Sequence, residues 1–350
     1  MNKGKILVTG GTGYIGSHTV VELQHSGFEV VIADNLSNSS ASVVDSIAEI
    51  SGIKPHFEKI DLCNEKSCYL LFEKHNDIKA IIHFAAFKAV AESVVNPLKY
   101  YKNNLFSLIN LLNIAKHQKI KYFIFSSSCT VYGNPNKLPV NEDMPFNAPL
   151  SPYGHTKQIC EKILMDEVNV NKYLNVVSLR YFNPIGAHPS SIIGEDSNDE
   201  PNNLVPYITK TALGIRPLLK VFGNDYDTHD GTPVRDYIHV CDLAEAHIKA
   251  MERLLENKNE KSFEVFNIGT GKGYSVLEVI NTFEKITGVK LNYEISNRRS
   301  GDIAAIWADS SLANNSLKWS AHRTLEEMLD SAWKWEICRH KNKKCNVNYE

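Results

Sequence analysis

Apolar residues along the chain fall into two alternating patterns. Short, nearly continuous apolar runs occur at "KILVT" (5–9), "EVVIA" (29–33), "AIIHF" (80–84), "YFIFS" (122–126) and "VVSLRY" (176–181). Runs of this kind read as strands buried on both faces. Between them, "SHTVVELQHSG" (17–27), "SLINLLNIAKHQ" (107–118) and "QICEKILMDEVNV" (158–170) carry apolar residues at helical spacing. Strands alternating with helices predict an α/β protein: a doubly wound parallel sheet of Rossmann type. The pattern breaks after residue 184, where "NPIGAHPSSIIGEDSNDEPNN" is rich in Pro, Gly, Ser and Asn and has no period. Beyond it the predicted elements are shorter and mixed. A first domain over 1–184, with returning segments near 236–268, and a smaller mixed α/β domain over 185–235 and 269–350 are expected.

Composition narrows the function classes. The chain has 350 residues, which at roughly 150 residues per domain suits two domains. Hydrophobic content of 43% and charged content of 22% are those of a globular protein. A net charge of −2 gives no electrostatic case for nucleic acid or a membrane surface as partner. The seven cysteines are scattered, with no CxxC pair. They read as reduced thiols, with neither a disulfide framework nor a zinc site. His83, His188, His239 and His247 also lack metal-ligand spacing, so no metal is expected. No apolar run reaches the ~18 residues of a membrane span. The N-terminus enters a strand pattern at once, and a cytoplasmic location is expected.

One stretch offers phosphate chemistry. "KILVTGGTGYIGSHTV" puts Gly10, Gly13 and Gly16 between a strand and a helix. Glycines let the backbone turn tightly against a pyrophosphate, and the helix N-terminus supplies free N–H donors and a positive dipole end. Asp34 ends the second strand, at the distance where a carboxylate takes both ribose hydroxyls and repels a 2′-phosphate. NAD is therefore expected rather than NADP. Asp61, in "EKIDLCN", is placed by order for the adenine edge, and a turn role fits it equally well.

A second stretch, "SPYGHTKQIC", sets Tyr153 four residues before Lys157. Residues at that spacing share a helix face, and a solvated surface pair is the ordinary account. Context decides otherwise. The spacing Gly-x-x-Gly-x-x-Gly resembles the extended short-chain dehydrogenase/reductase family. "DNLSNS", "HFAAFKAVAES", "FSSSCTVYG", "SPYGHTK", "RYFNPIGAHPS", "PNNLVPYI" and "GTPVRDYIHVCDLA" are together similar to the UDP-hexose 4-epimerases of that family. The ordered matches cover almost the full chain.

The resemblance implies an NAD-dependent isomerase that inverts carbon 4 of UDP-hexoses, interconverting UDP-galactose and UDP-glucose, with UDP-N-acetylhexosamines as a further candidate class. It makes Ser128, Tyr153 and Lys157 the catalytic group. Tyr153 would take the proton of the sugar 4-hydroxyl, with Ser128 bridging; the 4-keto sugar would turn about its bond to the diphosphate before reduction on its other face. The resemblance assigns the cofactor to Gly10, Gly13, Tyr14, Ile15, Gly16, Asp34, Asn35, Asn38, Ser39, Asp61, Leu62, Phe84, Ala85, Lys88, Asn103, Tyr153, Lys157 and Tyr181. It assigns the UDP-sugar to Lys88, Ser128, Asn183, Asn202, Asn203, Leu204, Phe222, Arg235, Arg299, Asp302 and Ile306. Arginine suits a diphosphate, since its fork matches phosphate oxygens. Position 306 lines the sugar pocket in the family, where Tyr favours glucose and galactose and a small residue admits N-acetylated sugars. The resemblance also implies a homodimer, with helices near 92–118 and 152–170 at the interface.

A magnitude tests the catalytic assignment. Tyrosine titrates near pH ~10, so a base near neutrality needs a fall of about three units, ~4 kcal/mol. One cation at ~6 Å with an effective dielectric of ~20 supplies roughly 2.8 kcal/mol. Lys157 alone falls short; Lys157 with the positive nicotinamide suffices, before any desolvation penalty. The acidity of the phenol is thus expected to follow the redox state of the cofactor. Rival activities fit less well. A 4,6-dehydratase of the same family carries Thr-Asp-Glu where this chain has Ser128, Cys129 and Thr130, and so lacks the carboxylates for elimination. A uronic-acid epimerase needs a cation for the sugar carboxylate, and none stands out beyond those assigned to the phosphates. An idle NAD-binding protein has no use for Ser128, Tyr153 and Lys157 together with both arginines.

Overall fold

The structure, a computed structural model, describes residues 3–196, 203–299 and 301–347. The first half alternates strand and helix: β1 (Lys5–Thr9), α1 (Tyr14–His25), β2 (Glu29–Asp34), α2 (Ser42–Ser51), β3 (His56–Lys59), α3 (Glu65–Lys74) and β4 (Ile78–His83). It continues through α4 (Val90–Val95), α5 (Pro97–His117), β5 (Tyr122–Ser128), α6 (Pro152–Val170) and β6 (Asn175–Tyr181). Then come β7 (Asn183–Ile185), α7 (Leu204–Ala212), β8 (Leu219–Phe222), β9 (Val234–His239), α8 (Val240–Leu255) and β10 (Phe263–Ile268). The chain closes with β11 (Gly273–Ser275), α9 (Val276–Thr287), β12 (Tyr293–Ser296), β13 (Ala305–Ile306), α10 (Ser311–Leu317) and α11 (Leu325–Val347).

Seven parallel strands form the main sheet, in the order β10-β6-β5-β4-β1-β2-β3. Side chains alternate across it, as the two-residue period of a strand requires. Ile6, Val8, Ile32 and Ile82 enter the core shared with α1 and α8, while Leu7, Val31, Ile81 and Phe123 enter the core shared with α5 and α6. Both faces are buried, which is why these strands read as unbroken apolar runs. From β1 the chain steps outward to β2 and β3, then crosses to β4 on the other side of β1. The carboxyl ends of β1 and β4 therefore flank the topological switch point, where ligands bind in such sheets.

Three helices begin before their apolar periodicity does. The first starts at Tyr14, not Ser17, because the glycine turn itself forms its first residues. The fifth starts at Pro97, ten residues ahead of the predicted 107. Its inward face there carries Tyr100, Asn104 and Ser107, buried yet mostly polar, and so shows no apolar period. Pro152 opens α6, with Ser151 as its cap.

After β6 the chain builds a second, smaller sheet around β9. Its neighbours are β7 and β13, both parallel, and β11, antiparallel. A two-stranded parallel pair, β8 and β12, lies beside it. The elements α7, α9 and α11 cover a separate core containing Ile208, Tyr237, Ile280, Phe283 and Leu329. The chain returns to the main sheet through α8, which packs on α1, and through β10, which pairs with β6. Among the described residues no helix is long and apolar enough to cross a membrane.

Candidate active site

The glycine turn is sterically obligatory. Gly10 has φ +68°, and a Cβ there would stand 2.8 Å from the Ala85 backbone nitrogen. A Cβ on Gly16 would stand 2.2 Å from the Gly10 carbonyl oxygen. Gly13 caps α1 without any side-chain hydrogen bond, and the first turn holds no acidic residue. By contrast, Asn64, Ser151 and Ser275 cap α3, α6 and α9 with their side chains. The first-turn N–H groups of α1, at Tyr14, Ile15 and Gly16, are thus left for an anion.

Asp34 faces this turn from the end of β2. Its carboxylate accepts from the Thr12 backbone N–H (3.2 Å), and also from Leu36 N–H (2.9 Å). One side chain thereby holds the phosphate loop and a turn. Ser39 donates to it at 3.4 Å and meets the Thr12 hydroxyl at 2.7 Å. Asn35 accepts from Ser37 N–H, and Asn38 is exposed beside them. Across the switch point Ala85 N–H donates to Thr9 Oγ1 (3.3 Å), and the Phe84 ring lies 4.8 Å from the His247 ring. Tyr14 donates its hydroxyl to the Gly186 carbonyl at 2.7 Å, tying α1 to the chain after β7.

Three further expected cofactor contacts are engaged in bonds of their own. Exposed Asp61 accepts from Cys63 N–H (2.9 Å), the turn role. The Leu62 side chain is in the core, and its carbonyl accepts from Asn110 (2.8 Å). Asn103 donates to Asn104 at 3.0 Å.

Ser128, Tyr153 and Lys157 converge at the carboxyl end of β5. Ser128 is the last residue of that strand and accepts from Thr130 N–H (3.2 Å). Ser151 accepts from Gly154 N–H (3.1 Å), fixing the first turn of α6, where Tyr153 sits. Lys157 is buried one turn later. Its Nζ donates to the Ser126 carbonyl (2.5 Å) and stands 4.9 Å from the Phe125 ring centroid and 6.0 Å from that of Tyr153. Burial pushes the Tyr153 phenol up to about 12, against a smaller downward pull from its hydrogen bond with Ser128. Burial likewise pulls Lys157 down to about 8, against an upward pull from Cys160 and Glu161. In the polypeptide alone desolvation dominates at Tyr153. Tyr181, at the end of β6, donates its hydroxyl to Ser126 Oγ.

The second cluster of expected residues lies on the smaller sheet and its loops. Arg235, on β9, reaches the Asp302 carboxylate at 3.4 Å, and the Arg299 guanidinium lies 4.7 Å over the Phe222 ring. Asp302 donates its backbone N–H to the Arg299 carbonyl, closing the Arg299–Asp302 turn. Ile306, on β13, pairs with Arg235 and is 3% exposed, packed with Cys129, Tyr132 and Phe182. Asn183 opens β7 and Leu204 opens α7. Asn202 lies outside the described residues. Lys88 pairs with Glu195 at 3.0 Å, and Asn203 donates to the same carboxylate oxygen at 2.6 Å. Glu195 thus joins two expected ligand residues from opposite sides of the chain break in pattern. Sequence reasoning missed it because it sits in the aperiodic stretch, where spacing carries no signal. The Ser126 carbonyl was missed because a backbone acceptor has no sequence signature.

The chain is similar to known proteins over most of its length. Residues 6–269 match the model of the NAD dependent epimerase/dehydratase family. The chain is 51% identical over 331 residues to the UDP-glucose 4-epimerase of Bacillus subtilis, covering 95% of this chain and 96% of that protein. The UDP-glucose 4-epimerase of Bifidobacterium longum, solved with NAD+ and UDP, superposes with a TM-score of 0.92 at 43% identity, over 96% of this chain and 99% of that one. The UDP-Glc/GlcNAc 4-epimerase of Campylobacter jejuni superposes with a TM-score of 0.81 at 38% identity, over 96% and 99%. With this fold, this site and these matches, the chain belongs to the NAD dependent epimerase/dehydratase family.

Proposed function

We propose that the protein is an NAD-dependent isomerase that inverts carbon 4 of UDP-hexoses, converting UDP-galactose to UDP-glucose and back. The observation that carries the reading is the convergence of Ser128, Tyr153 and Lys157 on one strand end, in a fold whose uncapped α1 terminus suits a pyrophosphate. NAD fits the residues present: the two glycines exclude any side chain from the cradle, and Asp34 closes it where an adenosine ribose would sit. Held by the glycine turn and Asp34, NAD would supply a reversible hydride acceptor for carbon 4.

The chain's own residues do the rest. Tyr153 takes the 4-hydroxyl proton and gives it back, with Ser128 beside it to bridge the transfer. Lys157, held to the Ser126 carbonyl, keeps a positive charge near the phenol. Arg235 and Arg299 hold the diphosphate, Asp302 the uridine ribose and Phe222 the uracil, while the sugar is free to turn. Asn183, Asn203, Leu204 and Lys88 complete the substrate contacts. On this account the first domain comprises 1–184 with the returning segments near 236–268, and the UDP-sugar domain comprises 185–235 and 269–350.

A homodimer in the cytoplasm completes the proposal. Val95 and Leu98, at the junction of α4 and α5, are 77% and 79% exposed. Phe106 on α5, Met165 and Val170 on α6, and Tyr173 just after it are also exposed. Apolar surface on that scale marks an interface.

The deciding assay gives the purified protein UDP-galactose without added NAD. Formation of UDP-glucose establishes the activity and the retained cofactor together. Failure to form it, with NAD then added, overturns the reading.

A further inference from the structure

One face of α6 engages the end of β5 three times in succession. Tyr153 meets Ser128, Lys157 donates to the Ser126 carbonyl (2.5 Å), and Glu161 accepts from the Ser127 hydroxyl (2.5 Å). The helix residues are spaced i, i+4, i+8, which stacks them on one face. The strand residues are three consecutive serines. The first two rungs belong to the proposed chemistry, and the third is buried below them with no assigned role.

Glu161 is held from every side. Ser178, on β6, donates to the same oxygen at 3.1 Å. Arg180, two residues on, donates through Nε at 3.0 Å and through its terminal nitrogen to the other oxygen at 2.6 Å. That guanidinium is itself fixed by the Tyr132 hydroxyl (3.0 Å) and the Glu142 carbonyl (3.3 Å). Tyr132 in turn donates to Asn267 on β10 at 2.7 Å. A carboxylate with its charge paired and four donors is satisfied despite full burial. It cannot shift without moving Ser127, and Ser127 lies between the carbonyl that holds Lys157 and the hydroxyl that meets Tyr153.

We propose that Glu161 is a positioning residue for the Tyr153–Lys157 pair, fixing α6 against the end of β5 through Ser127 and against β6 through Ser178 and Arg180. The inference rests on the epimerase reading and deepens it. The groups around Lys157 are Tyr153, Cys160 and Glu161 on its own helix, Ser126 and the Phe125 ring on β5, and His83 on β4, with Tyr181 of β6 bonded to Ser126 and Arg180 of β6 bonded to Glu161. His83 is kept neutral by burial and by Lys157, so it adds no charge. Cys160 is kept as a thiol by burial, and Tyr181 as a phenol.

The experiment uses the protein with its retained cofactor and two variants. Glu161→Gln alone would leave the Arg180 charge buried and unpaired, so the paired variant E161Q/R180Q removes both charges, and Ser127→Ala removes only the rung. With UDP-galactose, S127A is expected to lose about tenfold in kcat with KM within about twofold, the signature of misplaced groups. E161Q/R180Q, which loses the same anchor on Ser127, is expected to lose kcat to a similar extent with KM within about twofold. A merely structural role would lower the melting temperature of S127A and leave its kcat within about twofold; that result overturns the proposal, whether or not the paired variant folds. A folded paired variant with kcat within about twofold overturns the proposal as well. An unmodified protein that does not turn over counts instead against the epimerase reading itself.

Discussion

Tyr153 illustrates how one side chain can be wrong for its task until a ligand arrives. Burial holds its phenol up at about 12, and Lys157, 6.0 Å from the ring, does not offset that. A positive nicotinamide nearby would lower it, and a neutral one would not. The phenolate absorbance of the protein, minus that of Tyr153→Phe, should therefore titrate at lower pH in the NAD+ form than in the NADH form. Equal midpoints would end this account. Tyr153→Phe itself should lose about 10²–10⁴ in kcat, the range for a general acid–base, while keeping its cofactor. A second residue bears on substrate choice. Ile306 is fully packed, shorter than tyrosine and branched, beside Phe182 and Cys129. Ile306→Tyr should lower the rate on UDP-N-acetylgalactosamine relative to UDP-galactose. An unchanged ratio would remove position 306 as a gate.

At the scale of elements, α6 and β5 carry the site, and their termini matter more than their middles. Ser151 is nearly buried and caps the turn that presents Tyr153. Ser151→Ala should cost about 1 kcal/mol of stability, as lost N-caps do. It should also lower kcat, because the frayed turn holds the base; thermal melting and turnover report the two effects separately. A drop in melting temperature with kcat intact would show that the turn is held by packing alone. The strand end was legible in sequence, because "YFIFSSS" is apolar until it meets polar ligand chemistry. The start of α5 was not, because Asn104, Ser107 and Asn110 are buried by hydrogen bonding and helix packing and not by hydrophobicity. Burial of a polar side chain depends on a partner remote in sequence, and local periodicity does not register it.

Over the whole molecule, four buried histidines set a pH limit. Burial is the first cause that draws His18, His83 and His239 down to about 3 and His247 to about 4. Their folded values lie below the ordinary value, so the stability they contribute is present above pH ~6.5 and is lost as pH falls toward 3–4. The unfolding free energy from urea titrations should drop on acidification below pH ~6.5, by up to about 1.4 kcal/mol per pH unit for each histidine. His247→Leu should make the slope shallower by about one proton; an unchanged slope would place the acid sensitivity elsewhere. The exposed face of α4 to α6 is the other whole-molecule feature. Leu98→Asp is expected to turn a dimer into a monomer in sedimentation, and a monomeric unmodified protein would exclude the interface.

The alternation of strand and helix, the glycine turn, the acid at the end of β2 and the Tyr–Lys spacing can all be read along the chain. Each is a local pattern: a period of two or 3.6, a residue without a Cβ, or a fixed offset along one helix. The motifs also pointed to the family that the comparisons then established. Only the tertiary structure decided which groups meet. It brought Glu161 under Ser127, joined Lys88 and Asn203 through Glu195, and put β9 in the small sheet while β10 returned to the large one. It also reversed the sign expected for the isolated phenol, since desolvation depends on everything packed around a group. Contacts between residues far apart in the chain leave no period behind, and the energies of buried charges are set by those contacts.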